Sequence, residues 1–251
     1  FLGQTDFASD IIMSAFKGAK VAPLCKKITI SNNSNSVKIN AIDETSRVST
    51  RSGGVLGYWL PEAGTKLPSQ PKFRQVDLNL KKICVVTYAT DEVLQDVSVL
   101  NTVIRDAMVD EITFRIDDAI INGTGAGMPL GIIPSGAMIS VTKQTGQKLN
   151  TIVAENIFDM WSRLLPGSES DAVWFINKNV VPQLYSLNLA VGTGGVSIYT
   201  PANSIAGAPY QSLMGRPVIP IEQCPTLGTK GDVILADMKS GYVLADKGSV
   251  Q

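Results

Sequence analysis

A run of glycines between residues 123 and 131 is the part of this sequence that comes nearest to a nucleotide-binding loop. Gly123, Gly125, Gly127 and Gly131 would let the backbone approach a phosphate, which backbone N–H groups bind. The run, however, follows a helical pattern and contains no lysine, whereas a phosphate loop follows a strand, opens a helix and ends in lysine. We therefore interpret it as a linker that ends a helix, and we expect no cofactor.

Two pairs of neighbouring acidic residues are the candidates for acid–base chemistry or for metal binding. They are Asp91 with Glu92, and Asp117 with Asp118. Adjacent side chains on a helix point about 100° apart and do not share one site. We interpret both pairs as solvated side chains or as caps of helix ends, and we predict no metal site.

Residue types needed for catalysis are scarce. The sequence contains no histidine, the side chain most often used as a general base near neutral pH, and it has no Gly-x-Ser-x-Gly motif for an activated serine. Cys25, Cys84 and Cys224 are odd in number, far apart and outside any Cys-x-x-Cys pattern, so we interpret them as buried reduced thiols. We predict no catalytic residues and no enzymatic activity.

The charge of the chain argues against a general nucleic-acid-binding protein. The 251 residues include 22 basic and 22 acidic side chains, and the isoelectric point is near 6.5. Nucleic-acid-binding domains usually have a basic face or a much higher isoelectric point. No apolar run approaches the length that spans a membrane. The composition is that of an ordinary globular protein with enough apolar residues for a sizeable core.

The clearest predicted element is a long helix in the middle of the chain. Apolar residues recur every three or four positions from Leu94 to Ile120, which predicts a helix of about seven turns. A break near Asp96 stays open, since Asp96 or Ser98 can cap a new helix start. Asn122 and Gly123 are suitable residues to end it.

Shorter elements surround this helix without a regular βαβ order. The spacing of apolar residues predicts helices over 6–16 and 154–165 and a buried strand over 172–177. Further strands are predicted near the C-terminus. An irregular mixture of this kind is typical of an α+β fold.

A long β-hairpin is predicted over residues 30–85. Val76, Leu78 and Leu80 alternate with polar residues, as in a strand with one covered face. The apolar run at 83–86 predicts that this strand continues into a protein interior. Since a two-stranded hairpin is marginally stable alone, it has to lie on a partner surface.

The hairpin contains the stretch GYWLPEAGTKLPSQPKF at residues 57–73, which has neither helical nor strand periodicity. Two interpretations of Trp59, Glu62, Lys66 and Phe73 are open. The stretch folds back on its own domain and its aromatic residues close a small cluster, or it projects onto another subunit, with the aromatic residues as anchors. A hairpin rooted at both ends favours the second.

The order of motifs along the chain resembles the major capsid protein of tailed bacteriophages with the HK97 fold. The resemblance covers nearly all of the 251 residues. The motifs that carry it are, in order along the chain, Trp59-Leu-Pro-Glu62, Lys66 to Phe73, the strand Val76 to Val86, Thr90 to Asp96, Ile121-Asn-Gly123, Gly127 to Ile132, Leu213 to Val218, and Gly231 to Asp237 with Tyr242. Each motif alone is weak, and their order is the specific signal.

This resemblance implies a division of the chain into named parts. The expected parts are an N-terminal arm (1–29), an E-loop hairpin with its base (30–90), a P-domain with a long spine helix (91–127), an A-domain (128–235), and an incomplete return toward the P-domain (236–251). The E-loop of such proteins lies across a neighbouring subunit. Trp59, Glu62, Lys66 and Phe73 are therefore the expected contacts between subunits.

The resemblance also implies a function and partners. The expectation is a protein that assembles with itself into hexamers and pentamers of an icosahedral shell in the virion, built in the host bacterial cytoplasm and enclosing double-stranded viral DNA without sequence specificity. Portal, scaffold or decoration proteins are further expected partners, and no membrane is expected. The basic residues that could face the DNA are Lys17, Lys20, Lys26 and Lys27.

Some relatives cross-link an E-loop lysine covalently to an asparagine of a neighbour. Lys66 and Lys72 are the lysines available for this here, but no motif of the sequence identifies the asparagine or the glutamate that assists it.

Two alternatives to a phage capsid stay open at this point. The first is an encapsulin-type bacterial compartment, which shares the fold and stores protein cargo. The second is an α+β hydrolase or ligand-binding enzyme that uses the glycine-rich loops; the residue types described above speak against it.

Overall fold

The structure is a computed structural model of the chain. It describes residues 18–31, 33–43, 53–62, 64–87, 98–191, 194–197 and 212–247. The expected helix over 6–16 and the acidic pair Asp91 and Glu92 lie outside these residues. Two compact units make up the chain: a smaller unit of residues 29–80 and 245–249, and a larger unit of residues 1–28, 81–244 and 250–251.

The described residues form four α-helices and ten strands. The helices are α1 (Ser98–Asn122), α2 (Ala154–Ser162), α3 (Val181–Tyr185) and α4 (Met238–Gly241). The strands are β1 (Lys26–Thr29), β2 (Ser36–Ile42), β3 (Phe73–Asn79), β4 (Val173–Ile176), β5 (Asn188–Val191), β6 (Gly194–Ser197), β7 (Ser212–Leu213), β8 (Arg216–Pro220), β9 (Val233–Ala236) and β10 (Val243–Asp246). Such a mixture of helices and strands agrees with the expected α+β class.

A four-stranded mixed sheet forms the centre of the larger unit. Its strand order is β7-β8-β4-β9, with β4 parallel to β8 and antiparallel to β9. All four residues of β4 are buried, as the continuous apolar run predicts for a strand covered on both faces. The buried strand predicted over 172–177 is thus confirmed over Val173–Ile176.

Alternate residues of β4 belong to two different hydrophobic clusters. Val173 and Phe175 pack in the cluster that includes Ile120 and Ile121 from the end of α1. Trp174 and Ile176 belong to the cluster formed with residues of α2 and α3, among them Ile157 and Leu184. Successive side chains of a strand point to opposite faces, so β4 joins the two cores of the larger unit.

The buried carboxylate of Asp117 ties α1 to a distant part of the chain. It accepts hydrogen bonds from the backbone N–H groups of Lys20 at 2.8 Å, Val21 at 3.2 Å and Ala22 at 3.1 Å. These residues lead into a 3-10 turn at Ala22–Leu24. Of the two interpretations given for Asp117, a solvated side chain is wrong, since it is 3 % exposed, and a cap is confirmed: it caps a turn that precedes it by some 95 residues.

The glycine-rich loop ends α1 as the sequence predicts. The N–H groups of Gly131, Ile132 and Ile133 donate to the carbonyls of Gly123, Ile120 and Ile121, at 2.6, 2.9 and 3.0 Å. These carbonyls belong to the end of the helix, where they lack helical partners. The loop thus uses its N–H groups to complete the helix end, which speaks against a phosphate site.

The smaller unit contains the predicted hairpin. Strands β2 and β3 are antiparallel, in a register that pairs Ser36 with Asn79 and Ile42 with Phe73. Val37, Ile39, Val76 and Leu78 are half-buried on one face, as the alternation in the sequence requires.

The continuation of this strand through the apolar run at 83–86 is a prediction that the structure contradicts. β3 ends at Asn79, and residues 80–87 form no strand. Ile83 and Val86 are exposed, Val86 at 70 %. A short apolar run without alternation does not by itself distinguish a buried strand from other structures.

Of the three cysteines, two are buried as predicted. Burial raises the pKa of Cys25 and of Cys224 to about 12 in each case, and the nearby carboxylates of Asp117 and Asp232, respectively, act in the same direction. Cys84 lies in the exposed stretch after β3, so its predicted burial is wrong.

Candidate subunit interface

The described residues 53–62 and 64–72 form a two-limbed projection of the smaller unit, and we call the segment 53–72 the arm. The N–H of Lys72 donates to the carbonyl of Gly53 at 2.8 Å, and the N–H of Gly64 donates to that of Pro61 at 3.0 Å. The pair of Gly53 and Lys72 and the pair of Pro61 and Gly64 are centred on the same position in the sequence. The two limbs are therefore antiparallel and keep one register from root to tip. This register places Trp59 opposite Lys66.

Side-chain hydroxyls join the limbs where backbone bonds are lacking. The N–H of Leu56 donates to Ser69 Oγ at 3.1 Å. Tyr58 Oη donates to the carbonyl of Leu67 at 2.6 Å and accepts from the N–H of the same residue. These bonds make the arm a defined structure although it contains no regular strand.

Proline explains why the arm shows no strand pattern in the sequence. Pro61, Pro68 and Pro71 lack the N–H that a regular ladder requires. Pro68 and Pro71 lie in the second limb. Because they cannot donate ladder bonds, the hydroxyls of Tyr58 in the first limb and of Ser69 in the second join the limbs in their place.

The root of the arm is fixed to the hairpin by a close approach at Gly53. This glycine is buried and has a φ of +59°, a conformation that favours glycine. A Cβ there would lie 2.3 Å from Ile42 Cγ2 and 3.0 Å from the carbonyl oxygen of Lys72. The N–H of Asp43 donates to the same Lys72 carbonyl at 2.9 Å, so both limbs leave the hairpin in a set direction.

The four side chains predicted at an interface are all exposed. Trp59 has 102 % of its reference accessible area and Phe73 has 71 %; Glu62 and Lys66 are also exposed. Trp59, Glu62 and Lys66 lie together around the tip, whereas Phe73 lies at the root. Large apolar side chains exposed in this way are typical of surfaces that another molecule covers.

Further apolar residues, which the sequence did not single out, extend this surface. Ile42 is opposite Phe73 in the register of the hairpin, and 53 % of it is exposed. Leu67, in the second limb, is 69 % exposed. Ile42 departs from the alternation of β2, in which Val37, Ile39 and Ala41 are half-buried, and lies on the exposed face; an apolar residue at such a position, opposite Phe73, is the signal that could have identified it.

The basic residues considered for DNA contact are placed differently from one another. Lys17 lies outside the described residues. The ammonium group of Lys20 donates to the carbonyl of Pro220 at 3.2 Å. Lys26 and Lys27 are exposed neighbours on β1, and adjacent side chains of a strand leave opposite faces. Lys26 and Lys27 thus do not share one surface of β1.

Within the described ranges, no group of three or more cysteine, aspartate or glutamate side chains is placed to hold a metal ion. In the same residues no helix has the length and apolar character needed to cross a membrane.

Comparison with known proteins gives one family and several solved structures. The model of the family described as "Phage capsid family" matches residues 1–251. A structure titled "Capsid of native GTA particle computed with C5 symmetry" is 15 % identical, with a TM-score of 0.69, and the match covers 93 % of this chain and 76 % of that one. No curated protein sequence matches.

Two structures from phages are similar over most of the chain. The first, titled "Microbacterium phage Oxtober96", is 15 % identical with a TM-score of 0.51, covering 81 % of this chain and 65 % of that one. The second, titled "Mycobacterium phage Cain", is 12 % identical with the same TM-score, covering 88 % and 69 %. At these identities the likeness concerns the fold.

Proposed function

The chain belongs to the phage capsid family, and we propose that its arm, residues 53–72, is the segment by which one subunit of the shell holds the next. The protein is a major capsid protein, whose copies form an icosahedral shell. The HK97-like fold expected from the motifs agrees with the family and with the capsid structures that it resembles. Its role is therefore structural, and we assign it no active site.

The exposure of Trp59 carries the proposal for the arm. A tryptophan side chain buries a large area when it is covered, and tryptophans dominate the energy of many interfaces. Here the side chain lies fully in solvent at the end of an ordered, rooted projection. Leu67 and the pair of Ile42 and Phe73 extend the apolar surface along the arm, which suits contact with a neighbour better than contact with the same unit.

We assign the elements of this chain to the named parts of the capsid-protein fold, in the order expected from the motifs. Residues 30–90, which include the hairpin of the smaller unit, correspond to the E-loop and its base, α1 to the spine helix of the P-domain, and the sheet around β4 to the A-domain. Residues 1–29 correspond to the N-terminal arm and residues 236–251 to the return toward the P-domain. Extended arms allow one sequence to form both hexamers and pentamers, since they adapt to different angles between subunits.

We further propose double-stranded DNA as the content of the shell. A chain without net charge can enclose DNA without binding it tightly, and a small number of lysines then provides weak contacts independent of sequence. Replacing Lys17, Lys20, Lys26 and Lys27 by glutamine should leave assembly intact and reduce the amount of nuclease-protected DNA. Unchanged packaging would exclude these four lysines as the contacts to DNA.

Shells found to contain protein in place of DNA would favour the encapsulin-type compartment.

Assembly of Trp59 variants tests the arm. Trp59→Ala should raise the subunit concentration needed for shell formation at least tenfold, since truncation of a central interface tryptophan costs about 2 kcal/mol or more. Trp59→Phe, the matched control, keeps an aromatic anchor and should retain most of the assembly. Both variants should melt as the parent does, because the side chain touches no core.

A second variant shortens the arm without disturbing its root. Replacing residues 57–68 by Asn-Gly joins Leu56 to Ser69, which lie opposite each other, through a two-residue turn. A folded protein that forms no shells is the expected result. If this variant and Trp59→Ala both assembled normally, the arm would not be the contact.

A further inference from the structure

One face of α1 is exposed to solvent along about three helical turns. Val103, Ala107, Asp110 and Phe114 follow one another at intervals of three or four residues, which places them in one line on the helix. All four are exposed, Val103 at 57 % and Phe114 at 38 %. At a rise of about 1.5 Å per residue the line is about 17 Å long. Together with the neighbouring exposed Asp106 we call it the α1 stripe.

The carboxylates of the α1 stripe are not neutralised by a neighbouring cation. Asp106 and Asp110 form no ion pair with any described residue, whereas the nearby Glu111 pairs with Arg115 at 2.8 Å. The stripe therefore combines apolar side chains with unpaired negative charge. A surface of this kind is complementary to an apolar surface that carries positive charge, and it repels DNA.

The segment that precedes α2 has the opposite charge. Residues 139–151, which we call the basic loop, contain Lys143 and Lys148 and no acidic residue. Both lysines are exposed, and neither forms an ion pair with a residue that the structure describes. The same loop exposes two large apolar side chains, Leu149 at 77 % and Ile139 at 61 %.

Hydrogen bonds order the basic loop although it contains no helix or strand. Gln144 Nε2 donates to Asp159 Oδ2 of α2 at 2.6 Å, and the backbone N–H of Gln144 donates to Gln147 Oε1 at 2.8 Å. Gln147 Nε2 donates to the carbonyl of Thr151 at 2.6 Å. Because the loop is held in this way before it meets a partner, little conformational entropy is lost when it binds.

We propose that the α1 stripe of one copy of this chain binds the basic loop of a second copy. Lys143 and Lys148 pair with the two free carboxylates of the stripe, and Leu149 packs on its apolar residues. The occupant is a second copy because the two surfaces are complementary in charge, and because each leaves large apolar side chains uncovered in the single chain.

A contact between two different surfaces of the same chain joins copies head to tail. Such contacts close into rings when the rotation between copies allows it, whereas a contact between identical surfaces ends at a dimer. The α1 stripe and the basic loop both belong to the larger unit. The contact is therefore separate from the proposed role of the arm and adds to it.

Exchange of the charges tests this contact. Asp106→Lys with Asp110→Lys places like charges opposite each other and should raise the subunit concentration needed for assembly about tenfold or more. Lys143→Asp with Lys148→Asp should do the same. All four substitutions together restore opposite charges and should return assembly to within about threefold of the parent. The four side chains are exposed, so each variant should melt as the parent does.

Lys178→Asp with Lys230→Asp is the matched control. Both lysines are exposed in the larger unit and lie outside the two surfaces. The control changes the net charge as much as the loop variant does and should assemble nearly as the parent. An equal loss of assembly in the control would show that net charge alone is responsible, and it would overturn the contact.

Two other results would also overturn it: normal assembly of both charge-reversed pairs, or a fourfold variant that assembles no better than either pair. Either failure can be told apart from a failure of the arm. If Trp59→Ala still prevents assembly in that case, the arm stays a contact between subunits and only the contact of the α1 stripe with the basic loop is lost.

Discussion

The hydroxyl of Tyr58 satisfies both backbone groups of Leu67 on the opposite limb of the arm. In a regular antiparallel ladder the backbone of the opposite strand would make these two bonds, whereas here the side chain of Tyr58 makes them. The arm is thus ordered before it meets a partner, which lowers the entropy lost on binding.

Tyr58→Phe should loosen the arm and leave the core unchanged. The variant loses both bonds to Leu67, and bonds of this kind contribute about 0.5–1.5 kcal/mol each. We expect the subunit concentration for assembly to rise by about threefold to tenfold, with an unaltered melting temperature of the free subunit. Light scattering against concentration measures the first quantity. Assembly equal to that of the parent would show that Tyr58 does not order the arm.

Asp117→Ala should destabilise the larger unit strongly. It leaves the buried N–H groups of Val21 and Ala22 and the partly buried N–H of Lys20 without their acceptor, and each unsatisfied buried group costs about 1–3 kcal/mol. We expect a loss of about 3 kcal/mol in the free energy of unfolding by urea.

Asp118→Ala is the matched control for this prediction. Asp118 is only half-buried and accepts a bond from Asn122 Nδ2 at 2.8 Å, so its removal should cost about 1 kcal/mol or less. Equal effects of the two substitutions would contradict the role given to Asp117.

Gly131→Ala should disrupt the end of α1. A Cβ at this position would lie 2.5 Å from the nitrogen of Gly123 and 2.7 Å from the carbonyl oxygen of Ile121. Backbone atoms cannot move aside as a flexible side chain does, so we expect a loss of about 2 kcal/mol or more. Gly136→Ala places its Cβ in open space and should change stability by about 0.5 kcal/mol or less. Equal melting temperatures of both variants would contradict the packing described here.

The thiols should divide into one reactive and two protected groups. Burial raises the pKa of Cys25 and Cys224 to about 12, so at pH 8 they are almost entirely protonated, and the thiolate is the reactive form. Exposed Cys84 should react with a thiol reagent in free subunits at pH 8. Mass spectrometry should find one label per native chain, none in Cys84→Ser, and three after denaturation. Rapid labelling of Cys25 in the native subunit would contradict its burial.

Local patterns in the sequence predicted the elements whose period or continuity is strong. The apolar run of β4 indicated a strand buried on both faces, and the alternation around Val76 indicated a hairpin with one covered face. Both rest on interactions that repeat along the chain, which is why they can be recognised without a structure.

The parts that escaped prediction depend on partners far away in the chain. Asp117 is one of two adjacent aspartates, and nothing near it shows that Val21, 96 residues earlier, provides its donor. In the arm, Tyr58 and Ser69 join the limbs between the backbone bonds at its root and its tip, and prolines interrupt the limbs, so no period of two is visible. Cys84 and Val86 are exposed because β3 ends at Asn79. The continuous apolar run that follows gives no sign in the sequence that the strand has ended.

Electron cryomicroscopy of the particles formed by the purified protein tests the central claim most directly. The account predicts closed icosahedral shells in which residues 53–72 lie on a neighbouring subunit and the side chain of Trp59 is buried there. Particles no larger than a dimer, or shells in which the arm folds back on its own subunit and leaves Trp59 in solvent, would contradict it.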